Sequence, residues 1–259
     1  MNKLTSQKIA DFAKGEYHIA VVDQIDSTNR AVRTMAEAGA PEGTVLFAEQ
    51  QTAGKGRMGR SFFSPAGSGL YFSILLRPQG KVADPLKITA AAGVAVAEAA
   101  EAVLGIDLQI KWVNDLYLAD KKVCGILAEG AFDAKGGLNH CVLGIGINVF
   151  APKEGFGSLE SIAGALAEES LGEDLRARLA AAVLDRFFAW YSRLEDGALM
   201  TQYRQRSYLQ DRWVTALRGN ERIEGRVVGI REDGALLLED ADGVRHAFLS
   251  GEVQLENYR

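Results

Sequence analysis

The residues best suited to chemistry lie in Gly54-Lys-Gly-Arg-Met-Gly-Arg60, where three glycines alternate with Lys55, Arg57 and Arg60. Glycine lets backbone N–H groups close on an anion, while the cations add charge and, for arginine, forked donors that match phosphate oxygens. The loop fits the dinucleotide pattern G-x-G-x-x-G, but that motif needs a helix to begin at once, and Ser61-Phe-Phe-Ser-Pro65 follows instead. A Walker A loop needs Ser or Thr after Gly-Lys, whereas Lys55 precedes Gly56. The downstream motifs of a protein kinase are absent. Taken alone, the segment also reads as a solvated surface loop.

Three further clusters follow. Lys111-Trp-Val-Asn-Asp115 sits between two strand-like runs, with a polar turn around a core Trp112 as its bland reading. Lys122-Val-Cys-Gly-Ile-Leu-Ala-Glu129 alternates as a strand, so Lys122 and Gly125 can line a site or simply end a strand in solvent. Gly144-Ile-Gly-Ile-Asn148 carries two glycines inside a strand, which suggests a flat group packed against the backbone. Cys124 and Cys141 lack CxxC spacing and have only His18, His140 and His246 as company, so both are expected in the core.

The elements that must position these clusters alternate between strand and helix. Ile19 to Ile25 reads as a strand, Asp26-Ser27 as an N-cap, and Thr28 to Ala38 as a helix stopped at Gly39. Strands are expected at Thr44 to Ala48, Leu70 to Leu76, Leu108 to Trp112, Asp115 to Leu118, Lys122 to Ala128 and Cys141 to Val149, with Asp120-Lys121 as a hairpin tip. Helices are expected at Asp84 to Leu104 and Asp174 to Leu194, and a short one capped at Ser158 to Ser161. From Trp213 the texture changes to short β runs separated by Arg218-Gly219-Asn220, Glu232-Asp233-Gly234 and Ala241-Asp242-Gly243. That spacing suits a small all-β barrel, with a boundary at Ser207 to Asp211.

The chain has 29 basic and 34 acidic side chains, a formal charge of −5, and 47% hydrophobic residues. It is an ordinary globular composition, and the negative balance argues against a general nucleic-acid binder, so any cationic patch is local. No apolar run is long enough to span a membrane and the N-terminus does not fit a signal peptide, which points to a cytoplasmic protein.

Asp26-Ser-Thr-Asn29, Ala48-Glu-Gln-Gln51 leading into the glycine loop, Lys111-Trp-Val-Asn-Asp115, Lys122 with Gly125-Ile-Leu, and Gly144-Ile-Gly-Ile-Asn148 together resemble the biotin protein ligase family. The likeness runs from about residue 20 to the C-terminus. It implies an α+β fold: a class II synthetase-like catalytic domain, residues 1–208, with a mixed central sheet flanked by helices, and a C-terminal SH3-like β-barrel, residues 209–259. It implies a two-step reaction. Biotin and ATP, with Mg²⁺, give biotinyl-5′-AMP and pyrophosphate, and a lysine of a biotin carboxyl carrier domain then takes the biotinyl group.

The resemblance also implies residue roles. Ser27, Thr28 and Gln51 would hydrogen-bond the ureido ring of biotin, with Asn29, Gly54, Lys55, Arg57, Lys122 and Gly125 completing that pocket. Lys55, Gly56, Arg57, Arg60, Phe62, Trp112, Asn114 and Asn148 would hold ATP and the adenylate. Arg57, Lys111, Lys122 and Asp115 would carry catalysis, with Asp115 either a Mg²⁺ ligand or the acceptor of the incoming lysine's proton. The chain departs from the family pattern at Lys55, where arginine is usual, at Val113, where proline is usual, and at Phe62, where tryptophan often stands. The stretch before the first strand is too short for a winged-helix DNA-binding domain, so no nucleic-acid partner is expected. Monomer and homodimer both remain open. The rival readings are lipoate or octanoate ligation, which shares fold and chemistry, and a non-catalytic biotin-binding regulator.

Overall fold

The structure is a computed structural model of the 259-residue chain and describes residues 3–78, 85–132, 137–168, 172, 174–219 and 221–255. Seven strands build the larger sheet: β1 (His18–Ile25), β2 (Thr44–Gln51), β3 (Gly69–Leu76), β4 (Gln109–Lys111), β5 (Asp115–Leu118), β6 (Lys121–Phe132) and β7 (Leu138–Asn148). Their order is β1-β2-β3-β7-β6-β5-β4. The pair β1 and β2 is parallel and the remaining neighbours are antiparallel, so the sheet is mixed, as expected. A parallel pair needs a crossover, and the helix α2 (Thr28–Glu37) supplies it.

The helices α3 (Pro85–Leu104) and α4 (Leu175–Tyr191) pack on each other and on one face of this sheet, and α1 (Ser6–Phe12) leans on α4. Ala91, Ala92, Ala95, Ala99 and Ala100 of α3 are fully buried, because small side chains let the helix sit close to its neighbours. Phe47 and Phe72 stack beneath them with ring centroids 4.5 Å apart. Truncating either to alanine would cost about 3–5 kcal/mol. On the opposite face Val32 and Ala36 of α2 cover Leu46, Leu75 and Val142. The rest of that face is left for the glycine loop.

A second, wholly antiparallel sheet contains β8 (Trp213–Arg218), β9 (Glu221–Ile230), β10 (Leu236–Glu239), β11 (Arg245–Phe248) and β12 (Glu252–Leu255), in the order β11-β10-β9-β8-β12. Its Val214, Val227, Leu236 and Phe248 join the same continuous core as the larger sheet. The connecting segment is also packed. Tyr208 stacks on Tyr117 at 4.7 Å and donates to Asp120 at 2.6 Å, and Leu209 is fully buried.

Several local expectations shift. The helix α5 (Gly197–Gln205), together with α1 and β12, was not foreseen: α1 is too short to show a period, and α5 opens on a glycine behind the cap Asp196. Instead of a helix capped at Ser158, a 3₁₀ turn spans Gly157–Leu159, with Glu160 Oε2 accepting from Phe156 N at 2.8 Å. The β5–β6 hairpin turns at Ala119 and Asp120, one residue earlier than expected, with left-handed φ of 47° and 61°. Asp84 and Asn220, named above in a helix and a turn, lie outside the described residues. No helix among the described residues is long and apolar enough to cross a membrane.

Candidate active site

The site occupies the α2 face of the larger sheet, where glycines remove side chains from β6 and β7. Gly125 pairs with Gly146, and Gly144 lies between Ser73 and Leu127. A Cβ on Gly146 would stand 2.5 Å from the Phe62 ring, one on Gly125 3.1 Å from it, and one on Gly144 would run into the Asn29 amide. The flat groups expected against this backbone are thus an aromatic ring and a carboxamide.

Ser27, Thr28 and Asn29 are buried at the start of α2. Thr28 donates to Gln51 Oε1 from its backbone N at 2.9 Å and from its hydroxyl at 3.1 Å. Gln51 Nε2 in turn donates to Ser64 Oγ at 3.0 Å. Asn29 donates from Nδ2 to Glu129 Oε2 at 2.8 Å, and its Oδ1 accepts from Ser73 Oγ at 2.6 Å. Ser27, Thr28, Asn29 and Gln51, with Lys55, Gly56, Arg57, Phe62, Asn114, Lys122 and Gly125, surround a cavity of about 50 Å³. The Phe62 ring fills the space over the glycines.

A second cavity of about 300 Å³ adjoins it. Its walls include Gly56, Arg57, Arg60, Phe62, Lys111, Trp112, Asn114, Asp115, Tyr117, Lys122 and Asn148, and also Gly251, Glu252 and Val253 from the smaller sheet and the turn before it. The two cavities share Gly56, Arg57, Phe62, Asn114 and Lys122. One end is small and rich in amide and hydroxyl groups, and the other is larger and cationic.

The loop between them is held at both ends. Phe62 N donates to Gly54 O at 2.9 Å and Gly56 N to Arg60 O at 2.7 Å, which folds the loop back on itself. Met58, at φ 54°, makes the tight reversal and is exposed. Arg57 donates to Asn114 Oδ1 at 2.9 Å and to Gly251 O at 3.3 Å, and Arg60 pairs with Glu252 at 2.5 Å. Gly54 lines neither cavity, unlike the other residues expected there. Its missing Cβ leaves room for the Phe62 carbonyl, which a Cβ would approach to 2.5 Å.

At the junction Lys122 Nζ pairs with Asp115 Oδ1 at 2.7 Å, and Asn114 Nδ2 donates to the same oxygen at 3.0 Å. Lys111 lies over the Tyr117 ring, 5.7 Å from its centroid. Burial pushes the Lys111 ammonium below the ordinary lysine range, against the pull of Asp115 and with the push of Lys122. Trp112 is buried, its peptide bond to Val113 is cis, and its Nε1 donates to Gly234 O at 2.9 Å. Asn148 Nδ2 donates to Gly164 O at 3.0 Å. Cys124 and Cys141 are free, buried thiols that burial pushes up, Cys141 to about 12, so neither is a nucleophile. No group of three His, Cys, Asp or Glu among the described residues could cage a metal ion.

Sequence reasoning missed Ser73, Tyr117, Glu129, Gly251 and Glu252. Glu129 shares a strand face with Gly125 by the two-residue period, so its place was readable. Glu252 reaches the site only because the smaller sheet docks against the loop.

A small polar chamber opening into a larger cationic one suits an enzyme that joins a small carboxylic acid to a nucleotide phosphate. Comparison with known proteins agrees. The Biotin/lipoate A/B protein ligase family matches residues 21–148, and the biotin protein ligase C-terminal domain matches residues 211–255. The biotin–[acetyl-CoA-carboxylase] ligase of Mycobacterium tuberculosis is 32% identical over 254 residues, covering 92% of this chain and 89% of that protein. The bifunctional ligase/repressor BirA of Bacillus spizizenii is 31% identical over 246 residues, covering 92% of this chain and 74% of that protein. The biotin protein ligase of Aquifex aeolicus, solved in complex with biotin and ATP, superposes with a TM-score of 0.76 at 28% identity, covering 92% of this chain and 98% of that one. The chain belongs to the biotin protein ligases.

Proposed function

We propose that this chain activates biotin with ATP and transfers it to a lysine of a biotin carboxyl carrier domain such as that of acetyl-CoA carboxylase. One observation carries the reading: two cavities of unlike chemistry meet at Arg57, Phe62 and Lys122. Biotin's ureido ring enters the polar chamber at Ser27, Thr28 and Gln51, displacing the Phe62 ring from Gly125 and Gly146. Its carboxylate then points to the junction. There a carboxylate oxygen attacks the α-phosphorus of ATP, a P–O bond forms, and pyrophosphate leaves.

Both reactants are anions, so the barrier the protein can lower is repulsion and misalignment. Lys122 and Arg57 sit at the junction where the bridging oxygen would form, Arg60 and Lys111 line the cavity that would take the phosphates, and Lys55 faces the small chamber rather than the nucleotide side expected of it. Trp112, Asn114 and Asn148 wall the nucleotide. In the second step the neutral amine of the acceptor lysine attacks the acyl carbon, AMP leaves, and the amine proton must be taken up. Asp115, on the wall of this cavity, would accept it or would hold Mg²⁺ that comes with the triphosphate. The only carboxylates on this wall, among the described residues, are Asp115 and Glu252, which fits an ion held mainly by phosphates rather than by a protein cage. Bound there, Mg²⁺ would neutralise phosphate charge.

The division into a catalytic unit, residues 1–208, and an SH3-like barrel, residues 209–259, is part of this reading, supported by the five antiparallel strands of the smaller sheet. So are a cytoplasmic location and the absence of a nucleic-acid partner. The match to the biotin protein ligase C-terminal domain favours biotin over lipoate or octanoate, and the intact cation set argues against a decayed regulator.

The test is mass spectrometry of a carrier domain incubated with this protein, ATP, Mg²⁺ and biotin, beside a lipoate control and an Arg57→Ala variant. One biotinyl increment with biotin alone, lost with Arg57→Ala, is expected. An increment with lipoate alone, or none with measurable biotin binding, would overturn the reading in favour of a rival.

A further inference from the structure

Glu129 lines neither cavity, yet its carboxylate gathers groups from two elements that do. Asn29 Nδ2 lies at 2.8 Å, Arg33 Nη2 at 2.7 Å, and Lys55 Nζ at 4.0 Å. On the other side of Asn29, Ser73 Oγ stands 2.6 Å from Asn29 Oδ1 and 2.8 Å from Thr28 Oγ1, and Thr28 meets Gln51. A continuous polar chain therefore runs from the glycine loop to the amide end of the small chamber. We infer that Glu129 is a positioning residue that fixes the Asn29 carboxamide and links it to Lys55, so that loop placement and biotin recognition depend on each other. The inference rests on the ligase reading above.

The argument is one of donors and acceptors. A carboxamide can turn by 180° with little change of shape, exchanging its NH₂ for its oxygen. An ionised carboxylate accepts only, so it holds Nδ2 toward itself and Oδ1 toward Ser73. That choice draws the single Ser73 hydroxyl proton to Asn29 Oδ1, so Ser73 faces Thr28 as an acceptor and the Thr28 proton is shared between Ser73 and Gln51. Burial pushes the Glu129 carboxyl up, but the bonds from Asn29 and Arg33 and the charges of Arg33 and Lys55 outweigh it and hold it below the usual range. It therefore stays an acceptor at neutral pH. A glutamine there could donate as well, leaving only the long 3.5 Å bond from Asn29 Nδ2 to Leu127 O to hold the amide's sense.

The test uses the full chain, with biotin binding by calorimetry and biotin-dependent ATP–pyrophosphate exchange. Glu129→Gln is expected to weaken biotin binding and raise its KM about ten-fold, the loss of one charge-assisted bond, while KM for ATP moves less than about two-fold. Glu129→Asp, still an acceptor only, recovers most of the loss, and Ser73→Ala, which cuts the chain on its other side, gives the same biotin-selective defect. Lys55→Gln weakens biotin in the parent but adds little to Glu129→Gln, the signature of coupling. A merely structural role would lower Tm without separating biotin from ATP. Unchanged biotin binding in Glu129→Gln and Ser73→Ala, or additive Lys55 and Glu129 effects, would overturn the inference alone. Failure of the parent protein to bind biotin would overturn the ligase reading and this inference with it.

Discussion

Lys122 Nζ and Asp115 Oδ1 meet at 2.7 Å across the β5–β6 hairpin, and both line the large cavity. The pair holds the ammonium at the junction of the two chambers, where the proposed mechanism brings biotin's carboxylate to the α-phosphate. Lys122→Met should lower kcat for adenylate formation about 10²–10³-fold, the usual cost of removing one preorganised charge at a transition state. Stopped-flow detection of pyrophosphate measures it. Asp115→Asn, assayed with preformed biotinyl-5′-AMP, separates its two candidate roles: a slowed transfer marks the proton acceptor, and an unchanged one marks the metal ligand.

Gly144 faces the Asn29 amide without room for a methyl group. Gly144→Ala should therefore weaken biotin binding by more than tenfold and cost about 1–3 kcal/mol of stability, as overpacking does. Urea unfolding and biotin calorimetry give the two numbers. Gly146→Ala should instead push the Phe62 ring off the strand, seen as loss of the biotin site with smaller loss of stability.

The Arg60–Glu252 pair joins the glycine loop to the smaller sheet, with side chains 67% and 24% exposed. At that exposure such a pair is worth at most about 1 kcal/mol. Glu252→Ala should raise KM for ATP about two- to five-fold at low salt, and the difference should shrink as ionic strength screens the pair. Steady-state kinetics at two salt concentrations decide it.

His140 on β7 is 5% exposed, and neither ring nitrogen finds a hydrogen-bond partner among the described residues. Burial, Arg77 and Arg33 hold its pKa below the ordinary value, with Glu37 opposing. The unfolded chain then binds a proton that the folded one refuses. Stability contributed by the neutral ring is full above the ordinary histidine pKa of about 6.5 and falls as pH drops through the lower folded value. His140→Phe should flatten this slope in urea titrations across the acid side of neutrality, and an unchanged slope would refute the assignment.

Much of this was legible in the residues. The strands of the mixed sheet and the long helices follow from two- and 3.6-residue periods, and Gly54 to Arg60 from its alternation of glycine and cation. The glycines at 144 and 146 announced that something flat lay on β7, but not that one such group was Asn29 and the other Phe62. Short elements such as α1 and α5 stayed hidden because one or two turns carry too little period.

The sequence by itself determined which side chains are available for binding anions and on which strands and loops they ride, because periodicity and glycine placement are local properties of the chain. Only the tertiary structure decided that Glu252 reaches Arg60, that Trp112 is tied to Gly234, and that Glu129 grips both Asn29 and Lys55. Those meetings depend on how the two sheets share a core and how the loop folds back. Contacts between residues far apart in the chain are fixed by packing, which no local pattern encodes.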